Sequence, residues 1–160
     1  RHERLFRFLL FLLEGFLSKR GGGEVFGSRL PMRLAPQWSP EPDLLVVQSG
    51  RRGLVGESRL EGPADLVIEI VSKGDSHLLY REKLPRYRDA GIPEIWIVDP
   101  LRREVLCDRA GATGRRAEVH ASGRISSTAV PGFGIDVGWL WREDLPSSPD
   151  CLAVVLSAEG

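Results

Sequence analysis

Two short apolar runs constrain the fold more than anything else in the chain. Residues 65–72 (DLVIEIVS) and 94–99 (EIWIVD) are apolar on both faces, the pattern of strands buried centrally in a sheet. Between them a helical pattern covers residues 76–90 and ends at Gly91 and Pro93. A strand, a covering helix and a second strand imply a parallel pair. Pro85 lies inside that helix and should break or kink it, because it has no N–H. Residues 43–48 (DLLVVQ), introduced by Pro42, read as a third strand, and 103–108 and 115–120 as a meander. The class is α/β with a mixed sheet.

The ends are less regular. Residues 5–13 (LFRFLLFLL) imitate a targeting signal, but the run is far below the roughly 20 apolar residues of a membrane span. No small-residue cleavage site follows it. Apolar residues at 5, 6, 9, 10, 12, 13, 16 and 17 suit a helix over residues 2–18, stopped by Gly21, Gly22 and Gly23. Residues 24–34 alternate and read as a strand pair or an irregular edge strand bearing Pro31. The segment 35–42, with three prolines, and the glycine-rich, charged segment 49–63 are loops. The tail from Val130 should fold over one end of the molecule.

A chain of 160 residues suits one domain and needs no disulfide or zinc staple. Cys107 and Cys151 lack metal-ligand spacing and fit a reducing cytoplasm, the expected location. Lys plus Arg and Asp plus Glu both total 22, so no global field gathers polyanions, although a local basic cleft remains open. Of the basic residues 19 are Arg and only Lys19, Lys73 and Lys83 are Lys.

Glu69 is the anomaly, a carboxylate inside the strand 65–72. Such a group must be paired, protonated or metal-bound, since burying it alone costs several kcal/mol. The plain explanation is a salt bridge to an arginine. A period of two puts Asp65, Val67, Glu69 and Val71 on one face. Asp43 opens the neighbouring strand, so the two acids can converge at a sheet edge. Oxygen ligands that close suit Mg²⁺, for which Mn²⁺ substitutes, and hydrolysis of a phosphodiester is the chemistry that follows. Lys83, on the following helix, is the best nearby cation; its plain alternative is a solvated helix residue. Asp65 reads as a strand cap, Asp99 before Pro100 as a turn-former, and Trp96 as core. Trp139 and Trp141 either stack on bases or close a core or a dimer contact. His2, His77 and His120 show no ligand spacing.

Pro42 to Val47, GPADLVIEIVS (62–72), Lys83-Leu84, Tyr87 and AGIPEIWIVDP (90–100) together resemble the Uma-two family of restriction-endonuclease-like proteins. The likeness continues through Arg103-Glu104-Val105 and Ile125-Ser126-Ser127 to VPGFGIDVGWLW (130–141). That family falls in the PD-(D/E)XK nuclease superfamily, so the resemblance implies an αβββαβ core over a single domain, residues 1–160. It implies that Asp43 and Glu69 are metal-binding acids, with the backbone carbonyl of Ile70 as a further ligand. The superfamily's usual Lys two residues after the second acid is replaced here by Val71, and Lys83 takes its place. Relatives often carry an acid where this chain has Leu79. They also have a segment before the first helix, and this chain opens inside that helix without a Met, so preceding sequence is expected.

Two readings follow. The first is a Mg²⁺-dependent endonuclease acting on nucleic acid, DNA foremost, with Asp43, Glu69 and Lys83 at its centre. The second is a non-catalytic module of the same fold that binds nucleic acid or a protein, with a homodimer as one form open to it.

Overall fold

The computed structural model describes residues 1–27 and 29–157. Helix α1 (His2–Arg20) comes first, then β1 (Gly23–Phe26), β2 (Leu44–Gln48) and β3 (Leu66–Ile70). A helix follows, made of a π-helical stretch (Leu78–Lys83) that runs into α2 (Leu84–Asp89). Then come β4 (Glu94–Asp99), β5 (Glu104–Gly111), β6 (Gly114–His120), β7 (Arg124–Ser126), β8 (Gly134–Asp136) and α3 (Ser148–Ser157). The first six strands form one sheet in sequence order, β1 to β6, with only the β3–β4 pair parallel. The sheet is therefore mixed and flanked by helices, and the crossover through α2 is what makes the parallel pair possible.

Alternation along the strands sorts the core into two halves. Leu44, Val46, Leu66, Ile68, Trp96 and Val98 face α1. Leu45, Val47, Val67, Val71, Ile95 and Ile97 face α2. Helix α1 buries Leu5, Phe8, Leu9, Leu12, Leu13, Phe16 and Leu17, a stripe at the i, i+3, i+4 spacing that seats a helix on a sheet. Truncating any of these leucines to Ala costs about 2–5 kcal/mol. Helix α3 packs against α1 at Gly15, where an added Cβ would meet Leu152 Cδ2 at 2.5 Å. No helix among the described residues is long and apolar enough to cross a membrane.

Two expectations change. Only residues 23–26 of the alternating N-terminal segment form a strand. Pro31 has no N–H, and the backbone beyond it bonds elsewhere, Met32 N to Pro40 O at 2.9 Å and Arg33 N to Leu60 O at 2.8 Å. Nor does Pro85 break its helix. One wide turn precedes it, with the Leu84 N–H donating to Leu79 O five residues back, and the proline enters at the start of α2, where a missing N–H is tolerated.

Candidate active site

The β2–β3 register pairs Leu44 with Ile68 and Leu45 with Val67. Continued by one residue it sets Asp43 opposite Glu69, and by two it sets Pro42 opposite Ile70. Here the ladder gives way to side chains. The Asp43 N–H donates to Glu69 Oε1 at 3.3 Å, and the Ile70 N–H donates to Asp43 Oδ2 at 2.7 Å. Along an extended strand a residue's C=O points to the same side as its N–H. The Ile70 carbonyl thus faces Pro42, which has no N–H to give it. A β2 strand preceded by Pro-Asp therefore leaves carboxylate and carbonyl oxygens together at one sheet end.

Glu69 shares the α2-facing side with Val67 and Val71 and is 3% exposed. Its Oε2 accepts from Lys83 Nζ at 3.0 Å and from the Tyr87 hydroxyl at 2.7 Å. Lys83 and Tyr87 are four residues apart, one helical turn, so both present to the same strand residue. Burial raises the Glu69 carboxyl above its ordinary value. The Lys83 charge and then the Tyr87 hydrogen bond oppose that rise, while the Asp43 charge adds to it. Burial also pushes the Tyr87 hydroxyl well up, with the Glu69 charge as the next cause, so it stays a donor.

Asp43 is more open, its side chain 25% exposed, and His2 Nε2 lies 3.2 Å from Asp43 Oδ2. The first turn of α1 thereby reaches the site. The sequence offered no spacing that tied His2 to Asp43, 41 positions on; only the packing of α1 across β2 does so. Tyr87 was visible in the sequence as part of a motif, without its role as the second donor on Glu69.

The other acids are spent on structure. Asp65 Oδ2 accepts from Gln48 N at 2.8 Å and pairs with Arg51 at 3.0 Å, closing the far end of β2. Asp99 Oδ1 accepts from Leu101 N and Arg102 N, which makes a turn, and its Oδ2 accepts from the Tyr80 hydroxyl at 2.8 Å. Glu94, fully buried, was missed as a polar centre in the sequence. It accepts from Trp96 Nε1, Arg109 Nε, Ser127 Oγ and the Thr128 and Ala129 N–H groups.

Among the described residues no group of three or more His, Cys, Asp and Glu side chains is arranged to hold an ion. The donors at the β2–β3 end are two carboxylates and the Ile70 carbonyl left facing proline. That is an all-oxygen set, and it fits Mg²⁺, which takes one or two carboxylates and keeps several waters.

The family model described as "Putative restriction endonuclease", Uma2, matches residues 1–138. A crystal structure described as "a putative nuclease belonging to DUF820", from Anabaena variabilis, shares the fold with a TM-score of 0.69. The two sequences are 16% identical over 88% of this chain and 79% of the other. No curated protein matches the chain.

Proposed function

The chain belongs to the Uma2 family, and from that premise we propose that it hydrolyses phosphodiester bonds in nucleic acid, DNA foremost. Asp43, Glu69 and the Ile70 carbonyl would hold Mg²⁺, with Mn²⁺ as a substitute, and Lys83 would serve the reaction beside them. The observation that carries this reading is the crossed pair of hydrogen bonds at the β2–β3 end, the Asp43 N–H to the Glu69 carboxylate and the Ile70 N–H to the Asp43 carboxylate, with Lys83 on Glu69.

When bound, the ion lowers the pKa of a coordinated water and neutralises charge developing on the phosphate. The chain's own residues do the positioning. The Ile70 N–H holds Asp43 Oδ2 in place. Lys83 and Tyr87 both take Glu69 Oε2, which leaves Oε1 turned towards Asp43. Lys83, 26% exposed, is close enough to solvent to orient a water or meet an anionic oxygen while it offsets the Glu69 charge.

The test is calorimetric titration of Mn²⁺, with a single-stranded oligonucleotide present, into the wild type and into Glu69→Gln, paired with a cleavage assay in Mn²⁺. Binding and cleavage that vanish together in Glu69→Gln support the reading. A folded wild type that takes up no Mn²⁺ and cuts neither single-stranded nor duplex substrate overturns it. One observation favours the non-catalytic module instead: Glu69 Oε2 is already saturated by Lys83 and Tyr87. Oligonucleotide binding that is indifferent to Mn²⁺, with no cleavage, would select that reading.

A further inference from the structure

A cavity of about 520 Å³ lies outside the carboxyl ends of the two parallel strands, where Val71, Ser72 and Lys73 follow β3 and Pro100, Leu101 and Arg103 follow β4. Carboxyl ends of parallel strands are where open α/β sheets bind ligands. The nuclease reading makes no use of this cavity, yet His2 lines both it and the depression beside Asp43. Its chemistry is lopsided. Lys73 and Arg103 face it, and among the described residues neither side chain makes a hydrogen bond or an ion pair. Arg1, also in the wall, is spent on the carbonyls of Leu140, Arg142 and Glu143. The carboxylate in the lining is that of exposed Glu143.

The backbone at Arg103 is fixed, while its side chain is exposed. The φ of 55° there is left-handed, a strained choice for a residue other than glycine. The segment that leads to it is fixed by Asp99, whose Oδ1 takes the Leu101 and Arg102 N–H groups. Trp141 also lines the cavity, half-buried, with its Nε1 anchored on Ala121 O at 3.1 Å. Two unpaired cations and an aromatic wall match a phosphate with a base attached. The volume falls within the range of pockets that take one small molecule, too small for a duplex.

We propose that this cavity is a subsite for one unstacked nucleotide of a single strand, beside the phosphodiester to be cut. Lys73 and Arg103 take its phosphate and Trp141 stacks on its base. The proposal rests on the nuclease reading for the word beside, and on the cavity itself for the binding.

The test is fluorescence anisotropy of a labelled 12-nucleotide oligothymidylate in Ca²⁺ buffer at several salt concentrations. It compares the wild type with the double variant Lys73→Ala, Arg103→Gly. Glycine adopts a φ of 55° freely, so the turn survives the loss of the guanidinium. The expected result is an affinity loss of about tenfold, with the slope of log K against log salt shallower by about 0.7, the value for one phosphate no longer neutralised on a single strand. The control is Arg4→Ala, Arg7→Ala on the outer face of α1, which removes the same charge elsewhere and leaves the slope in place. Unchanged binding in the first variant, an equal loss in the control, or tighter binding of the matching duplex that the variant also weakens would each overturn the subsite. If the variant loses binding while the wild type cuts nothing, the subsite stands and the nuclease reading falls. A wild type that cuts, with binding indifferent to Lys73 and Arg103, sinks the subsite alone.

Discussion

Replacing Tyr87 by Phe removes one oxygen from the site and little else, because the ring keeps its place against Trp38, 5.9 Å away between centroids. The lost hydroxyl donates at 2.7 Å to Glu69, a carboxylate 3% exposed. A hydrogen bond to a charged group is worth about 1.5–3 kcal/mol, against about 0.5–1.5 for a neutral pair. The penalty therefore depends on the charge of Glu69. Burial raises the folded carboxyl above its ordinary value of 4.5, so the folded protein holds that proton more tightly than the unfolded chain. Stability contributed by Glu69 consequently falls as pH rises from 4.5 through the raised folded value, and levels off above it. The Tyr87 hydroxyl softens that fall by favouring the charged form.

Tyr87→Phe should steepen it. Urea unfolding should show a loss of about 0.5–1.5 kcal/mol at pH 4, where the protonated carboxyl predominates, growing towards about 1.5–3 kcal/mol at pH 8 as the carboxyl ionises. On a Glu69→Gln background the same substitution should cost the smaller amount at both pH values, since no charge remains to be solvated. A penalty equal at pH 4 and pH 8 in the wild-type background would refute the account of Glu69 as a buried anion held by Tyr87 and Lys83.

Lys83→Met should lower any Mn²⁺-supported cleavage rate by about 100-fold or more, with Mn²⁺ uptake retained, as checked by single-turnover kinetics and calorimetry. Glu94→Gln should cost about 2–4 kcal/mol in urea unfolding, because Arg109 is left without its anion. Where the Glu94→Gln protein is folded, Mn²⁺ affinity should stay within twofold of wild type. Burial pushes the Cys107 thiol up to about 12, so iodoacetamide at pH 8 should modify it only at the rate of unfolding, as read by mass spectrometry.

The sheet's centre was legible because it obeys local rules. The runs at 65–72 and 94–99 are apolar on both faces, and only a sheet with helices on both sides buries such strands. Asp43 and Glu69 were legible for the opposite reason, as charges where the pattern forbids them. What escaped was set by long-range packing. Ser127, Thr128 and Ala129 meet Glu94 across 33 to 35 residues, and no periodicity announces a polar centre built that way. The segment after β1 misled because alternation was read as pairing, while its N–H groups are taken by Pro40 O and Leu60 O. Glu69's partner was also unlike the plain expectation, since one of the three lysines, not an arginine, answers it.

The wide turn at 78–83 links these failures to the site. A proline at position 85 of an α-helix strands the carbonyl four residues before it and pushes its ring against that turn. Shifting the bonding by one residue, as the Leu84 N–H does in reaching Leu79 O, opens the helix there and lets it continue. Residues after the shift are rotated about the axis by roughly one residue's worth, about 100°, relative to an unbroken α-helix. Lys83 and Tyr87 stand at and beyond that shift, and both meet Glu69 Oε2. Leu79, before it, packs into the α2-side core. The proline that reads as a helix breaker thus accompanies the change of phase that brings Lys83 and Tyr87, rather than Glu82 and Arg86, onto the buried carboxylate.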